Sequence, residues 1–376
     1  MTSFGIPVEQ TWYEIDGVNE LESPALVFYT DRILANIELL KNSIDSVDRL
    51  RPHVKTHKSA EVCRLMINAG ITKFKCATIA EAEMLGTCGA ADVLLSYQPV
   101  GPKIWRYITL VDTFPLTKFS CLVDNADALK ALSLAAVKAG IKINVFLDIN
   151  LGMNRTGILP DDKALALYQE MNAIVGIHVL GLHGYDGHIH GTLAERREKW
   201  QVAWNSIQRF NDKIFGCGLP APVIVAGGTP TFPFYAAQEY IECSPGTFIL
   251  WDNGYLHACA EQKYFVAAVL VSRIISLPGE TKVTVDLGHK SVAAENELSK
   301  RVSFINAPEA KIIGQSEEHL VLEMPKGHGF KLGDVLYGLP IHICPTVALY
   351  DVATTVHQHK INGNWEITSR KRKISI

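Results

Sequence analysis

Between residues 25 and 250 the chain repeats one pattern, a short β-rich run followed by a segment of helical periodicity. That alternation restricts the fold sharply. Neighbouring parallel strands need a long crossover, and a helix is the crossover that buries its own apolar face on the sheet. ALVFYT precedes the helical DRILANIELLKNSI, with Asp31 as its N-cap. KFKCATIA leads into AEAEMLG, and ADVLLSY follows. KFSCLVD precedes NADALKALSLAAVKAG, which Gly140 closes. KINVFLDIN precedes a helix near DDKALALYQEMNAI, and GIHVLGLHGY precedes TLAERREKWQVAWNSIQRFNDKIF. In that long helix Trp200, Ala203, Trp204, Ile207, Phe210 and Ile214 form an apolar stripe, which predicts packing against a sheet. APVIVAGG ends in glycines. About eight such alternations over roughly 230 residues predict an α/β fold, a (β/α)8 TIM-type barrel, with a doubly wound open sheet as the alternative.

After about residue 258 the pattern changes. YFVAAVLVSRIISL, TKVTVDLGH, RVSFINA, AKIIGQ, HLVLEM and DVLYGLPIHICPTVALYDVATTV read as strands separated by turns such as PGE. Val283, Val285 and Leu287 alternate with Lys282, Thr284 and Asp286, as on a half-buried sheet. The predicted organisation is a barrel over residues 20–255 and an all-β domain over 256–376, with residues 1–19 a candidate addition to the second. The basic tail NWEITSRKRKISI reads as a solvated end.

Bulk properties exclude some partners. A formal net charge of -3 gives no general attraction to nucleic acid or acidic membranes. The N-terminus lacks a basic start followed by an apolar core, so no export signal is expected. The longest apolar run, YFVAAVLV at 264–271, is far shorter than the roughly 20 residues that span a bilayer. Eight scattered cysteines without a CxxC pair suit a cytoplasmic protein with mostly buried thiols.

In a barrel of this type the C-terminal strand ends carry the active site. Lys55 follows RLRPHV, and Arg155 follows KINVFLDI. Tyr185, Asp186 and His188 follow IHVLGL, and Gly227, Gly228 and Thr229 follow PVIVA. The turns AGGTPT at 226–231 and SPGTF at 244–248 suit an anion, because small residues let backbone N–H groups come close. A lysine, a tyrosine and such turns together suggest pyridoxal phosphate, with Lys55 and Lys58 as candidate amines. His342 and Cys344 stand at i and i+2, one face of a strand, and imidazole and thiolate suit zinc. With no second Cys/His pair near, such an ion would keep open positions for substrate or water, the catalytic pattern. Asp286, His289 and Lys290 are candidates for contacting a substrate carboxylate, or form an ordinary turn.

RPHVKTHK resembles the cofactor-lysine motif of the D-threonine aldolase and D-serine dehydratase family, which shares the barrel-plus-β-domain fold of alanine racemase. The likeness extends over nearly the whole chain, through SPALVFYTDRILANI, GMNRTG, GLHGYDGHIH, GGTPT, SPGTF and PIHICPTVALYD. It implies that Lys55 carries the cofactor, that Arg155 and Tyr185 flank its ring, and that Gly228, Thr229, Gly246 and Thr247 hold its phosphate. It implies His342 and Cys344 as metal ligands. His57 and His188 are separate candidates for a second base. The family's aldolases carry His-x-Asp at the metal and its dehydratases His-x-Cys, whereas this chain joins the cysteine to an aldolase-like flank, PTVALYD. Thiolate favours zinc over manganese or magnesium. The implied activity is a lyase on D-3-hydroxy amino acids, first as retro-aldol cleavage of D-threonine-like substrates to glycine and an aldehyde. A zinc-dependent dehydratase giving a keto acid and ammonia is the second reading, and an amino-acid racemase the third. A homodimer working on a small D-amino acid is implied as well.

Overall fold

The computed structural model describes residues 12–376. The expectations for the N-terminal segment fall mainly on residues 1–11, outside the described residues. The chain divides into two compact units. One comprises Leu40–Lys55, Val62–Gly246 and Lys371–Ile376; the other comprises Thr56–Glu61, Thr247–Arg370 and the described residues up to Leu39. The sequence-based division is a single cut near residue 255; in these units the described residues up to Leu39 and Thr56–Glu61 group with the β-rich part from Thr247 on, and Lys371–Ile376 groups with the barrel.

The first elements are β1 (Ala25–Tyr29), α1 (Thr30–Lys41) and α2 (Ala60–Asn68). The alternating series follows as β2 (Lys73–Cys76), α3 (Ile79–Thr87), β3 (Asp92–Leu95), α4 (Pro102–Thr113), β4 (Lys118–Val123) and α5 (Ala126–Ala139). It continues with β5 (Ile143–Asn150), α6 (Asp162–Ala173), β6 (Ile177–Tyr185), α7 (Leu193–Gly216), β7 (Val223–Ala226), α8 (Phe232–Ala236) and β8 (Ile241–Cys243). Strands β2 to β8 form one parallel sheet in sequence order. Gly140 ends α5 in the left-handed conformation, at φ 69°, as its position predicts. In α7 the stripe is buried except for Trp204, which is half-buried.

Residues 50–54 occupy the eighth position and join the two edges of the sheet. On one side Arg51 N donates to Cys243 O and His53 N donates to Pro245 O, each at 2.9 Å. On the other, Lys75 N donates to Pro52 O and Val54 N to Lys75 O, again at 2.9 Å. Pro52 has no N–H to give, which keeps this segment from being a regular strand. The barrel reading therefore holds, with a different first strand. ALVFY is β1, and it pairs antiparallel with one strand and parallel with another in the other unit. A run buried on both faces carries no period that names its sheet.

Arg51 fastens the closing segment at the N-terminal rim. Its guanidinium meets Glu242 and Asp92, each at 2.7 Å, and Glu242 also takes the Lys73 amine at 2.6 Å. The side chain is 1% exposed. Inside the sheet, Leu94, Leu122, Phe146 and Val225 form a buried apolar cluster. Residues two apart on a strand share a face, so the face that carries Phe146 also carries Asp148, and the ladder sets His183 beside Asp148.

The other unit is built on β1, α9 (Asn253–Ala258) and the strands β9 (Ala268–Ser276), β10 (Lys282–Val285), β11 (Val302–Phe304), β12 (Lys311–Gln315), β13 (Leu320–Glu323) and β14 (Val335–Pro340). After them come α10 (Ile343–Val347), β15 (Val352–His357) and β16 (Lys360–Glu366). The strands order as β12-β13-β10-β9-β1-β15-β16, with β14 pairing β9 and β11. Val27, Tyr29, Val269, Val271, Tyr337 and Val356 form its core. Asp286 accepts from Ser23 Oγ and Arg273 N, and Lys290 pairs with Glu317 and Glu318, so both belong to the packing of this unit. Among the described residues no helix is long and apolar enough to cross a membrane. Of the eight free cysteines five are buried, and Cys217 is exposed.

Replacing Arg51 with Met leaves Asp92 and Glu242 without their buried counter-ion. The expected cost is about 3–5 kcal/mol, read as a shift of the urea unfolding midpoint. An unchanged midpoint would remove Arg51 from its anchoring role.

Candidate active site

The barrel unit holds a cavity lined by His53, Lys55, Lys75, Ser96, Arg155, Thr156, His183 and Tyr185. Each comes from a strand end or the loop just beyond it, because parallel strands point all their C-terminal ends to one face. Three cations gather around one ring. The Lys55 amine lies 5.7 Å from the Tyr185 centroid, the Lys75 amine 5.3 Å, and the Arg155 guanidinium 5.2 Å. His53 orients the segment end through its Nδ1, which accepts from Lys55 N at 3.3 Å.

Beneath them His183 Nδ1 meets Asp148 Oδ1 at 2.6 Å, both side chains buried. Burial, followed by the charge of Lys75, lowers the proton affinity of His183 against the pull of Asp148. Its Nε2 is buried and has no hydrogen-bond partner. Asp186 is pushed up to about 6 by burial, opposed by the hydroxyls of Thr231 and Tyr235.

The two glycine turns behave differently. Gly228 lies against the Tyr185 ring, where a Cβ would come within 3.0 Å of Cε2. Gly246 N donates to Thr229 Oγ1 at 3.2 Å, so the barrel unit ties the two turns together. At the start of the second turn, the buried Ser244 hydroxyl has no partner. Thr247 belongs to the other unit.

In that unit His342 and Cys344 meet, though not on a strand. His342 is the N-cap of α10, and the turn into the helix brings the pair together. Asp252 Oδ2 accepts from Ile343 N at 3.1 Å and fixes the helix start. Glu295 Oε1 meets His342 Nδ1 at 2.6 Å and fixes the orientation of the ring. Burial would lower the proton affinity of His342, but Cys344, Glu295 and Asp252 outweigh it and raise it to about 9. Thr56 Oγ1 lies 3.2 Å from Cys344 Sγ and Thr247 Oγ1 3.9 Å. Among the described residues no group of three or more His, Cys, Asp and Glu is set to hold an ion.

Lys55, Arg155 and Tyr185 thus share one cavity, Gly228 touches it, Thr229 and Gly246 link the turns, and His342, Cys344 and Thr247 cluster in the other unit. Lys58 is not among the cavity residues and has a positive φ of 51°. His188 is exposed. His57 is buried, its Nδ1 accepting from Ser59 N. Sequence reasoning did not single out Lys75, His183, Asp148 or Glu295. A charged or imidazole side chain inside an otherwise apolar strand, as in KFKC, FLDIN and LGLHGY, was the available signal for the first three.

The fold and cavity define a barrel of the alanine racemase class. The chain belongs to the alanine racemase N-terminal domain family, which matches residues 29–253, and residues 267–356 match the putative serine dehydratase domain. It is similar to D-threonine aldolase of Arthrobacter sp, 29% identical over 366 residues and covering 94% of each chain. It is also similar to D-threo-3-hydroxyaspartate dehydratase of Delftia sp. (strain HT23), 24% identical, covering 93% of this chain and 98% of that one. The crystal structure of D-threonine aldolase from Filomicrobium marinum superposes with a TM-score of 0.87 at 25% identity, covering 94% of this chain and 96% of the other.

His57 supplies a pH test. Burial lowers its proton affinity from 6.5 to about 3. Below pH 6.5 the unfolded chain therefore takes up a proton that the fold refuses, and stability falls as pH falls. Replacing His57 with Gln should flatten the stability profile between pH 6.5 and about 5, by up to about 1.4 kcal/mol per pH unit. Parallel profiles for the two proteins would contradict the buried neutral imidazole.

Proposed function

We propose that this protein is a pyridoxal phosphate- and divalent metal-dependent lyase that cleaves D-threonine-like 3-hydroxy amino acids to glycine and an aldehyde. It would act as a homodimer in the cytoplasm. The observation that carries the reading is the cavity where Lys55, Arg155 and the Tyr185 ring converge at the barrel's strand ends. The names of the relatives agree with it. The partnerless Ser244 hydroxyl and His183 Nε2 fit a polar ring that brings its own partners.

Lys55 would hold the cofactor through its amine, and Arg155 and Tyr185 would flank the ring. Gly228, Thr229, Gly246 and Thr247 would hold the phosphate. His342 and Cys344 would hold the metal, zinc first and manganese or magnesium as alternatives. When bound, pyridoxal phosphate serves as a sink for electrons released at the substrate's Cα, and the divalent ion acidifies the substrate's 3-hydroxyl. In retro-aldol cleavage a base takes the hydroxyl proton, and the Cα–Cβ bond breaks. Glu295 keeps His342 in one orientation, and the hydroxyls of Thr56 and Thr247 steady the Cys344 sulfur.

Cys344 favours a second reading, a zinc-dependent dehydratase. There Lys55 would take the proton from Cα instead, the hydroxyl would leave, and hydrolysis would give a keto acid and ammonia. Incubation with D-threonine, D-serine and D-threo-3-hydroxyaspartate separates the readings. Glycine plus aldehyde is expected; keto acid plus ammonia would establish the dehydratase. Interconversion of enantiomers without cleavage would leave a racemase, which has no need of His342 and Cys344.

Replacing Cys344 with Ala should lower kcat/KM by roughly 100-fold or more, with loss of bound zinc. Replacing Cys344 with Asp should move the metal preference toward manganese or magnesium. Full activity and full zinc content in the alanine variant would remove the metal from the account.

A further inference from the structure

Lys75 has no part in the proposed function, yet it lines the same cavity as Lys55, Arg155 and Tyr185. It is 2% exposed. Among the described residues its amine makes no hydrogen bond and no ion pair, and it lies 5.3 Å from the centre of the Tyr185 ring. A buried amine without a counter-ion costs stability. A strand that read Phe-x-Cys with an apolar residue between would close the barrel at lower cost, so the position calls for an anion that enters the cavity. His183 Nε2, equally buried and partnerless, opens into the same space, held by Asp148 on its far side.

We propose that Lys75 is a positioning residue for the cofactor, its amine taking an anionic oxygen of the pyridoxal phosphate as its counter-ion. This rests on the proposed function and extends it to a residue outside the motif. The groups that face Lys75 are His53 and Lys55 from the closing segment, Asp148 and Arg155 from β5 and its loop, and His183, Tyr185 and Asp186 from β6 and its end. Lys55 and Arg155 are the other two basic side chains of the cluster around Tyr185. Asp148 Oδ1 is engaged with His183 and Asp186 Oδ1 with Thr231, while Asp186 Oδ2 is buried without a hydrogen-bond partner, and neither carboxylate forms an ion pair with the Lys75 amine.

Burial first, then the charge of Lys55, lowers the Lys75 amine to about 7, with Arg155 adding to the effect and Asp148 and Asp186 opposing it. Above that pH the amine is mostly neutral before an anion arrives. An anion beside it favours the charged form. Binding at pH 8 therefore draws a proton from solution, and the affinity falls as pH rises.

Pyridoxine 5'-phosphate is the probe, because its hydroxymethyl group cannot couple to Lys55. Calorimetric titration at pH 8 in two buffers of different ionisation enthalpy counts the protons. The wild type should take up as much as about one proton more than Lys75→Met. The variant should bind about 10- to 100-fold more weakly. Its thermal midpoint without ligand should be no lower than the wild type's, since an uncompensated buried amine has gone; if Lys75→Met fails to fold, Lys75→Gln gives the same comparison. Equal affinity and equal proton count in wild type and variant would overturn the role of Lys75 alone. A wild type that binds neither pyridoxine 5'-phosphate nor pyridoxal phosphate would overturn the proposed function itself.

Discussion

The barrel depends on how residues 50–54 are held. Four backbone hydrogen bonds fix that segment between β8 and β2, two to each side. At one end Arg51 is locked between Asp92 and Glu242, and at the other the chain delivers Lys55 to the cavity. A single short segment therefore closes the sheet and aims the amine. Its two ends also divide the work of a basic cluster that looks uniform in sequence. The arginine faces the N-terminal rim, where charge serves stability, and the lysine faces the C-terminal rim, where side chains serve chemistry.

The charge of the cavity follows from that placement. Lys55, Lys75 and Arg155 surround Tyr185, while Asp148 Oδ1 and Asp186 Oδ1 are engaged by His183 and Thr231. The polar pair of Asp148 and His183 sits two residues beyond Phe146 and Gly181 along its strands, on the face that carries the apolar cluster of Leu94, Leu122, Phe146 and Val225. Low dielectric strengthens every contact there and penalises each unpaired charge. Such an arrangement is poor as packing and good as a receptor for an anionic, planar group.

Much of this was legible in the sequence, for a physical reason. Strand-helix alternation and the strand-end rule are local signals, and they placed Lys55, Arg155, Tyr185 and Gly228 at one rim of one sheet. What failed was long-range or geometric. ALVFY is buried on both faces, so nothing in its composition says that it pairs with β9 and β15. His342 and Cys344 were readable as a pair, but IHICPT turns into a helix, with Asp252 from 91 residues earlier capping its start. Glu295 supports His342 across 47 residues and has no local signature. Lys75 was hidden inside KFKC, where alternation on a strand end reads equally well as a solvated amine.

The proposed function requires Lys55, and not Lys75, to be the amine that carries the cofactor. The direct measurement is to load the protein with pyridoxal phosphate, reduce it with borohydride, and map the modified lysine by peptide mass. The added mass is expected on the peptide containing Lys55, with the Lys75 peptide unmodified. Modification at Lys75, or at neither lysine, would contradict it.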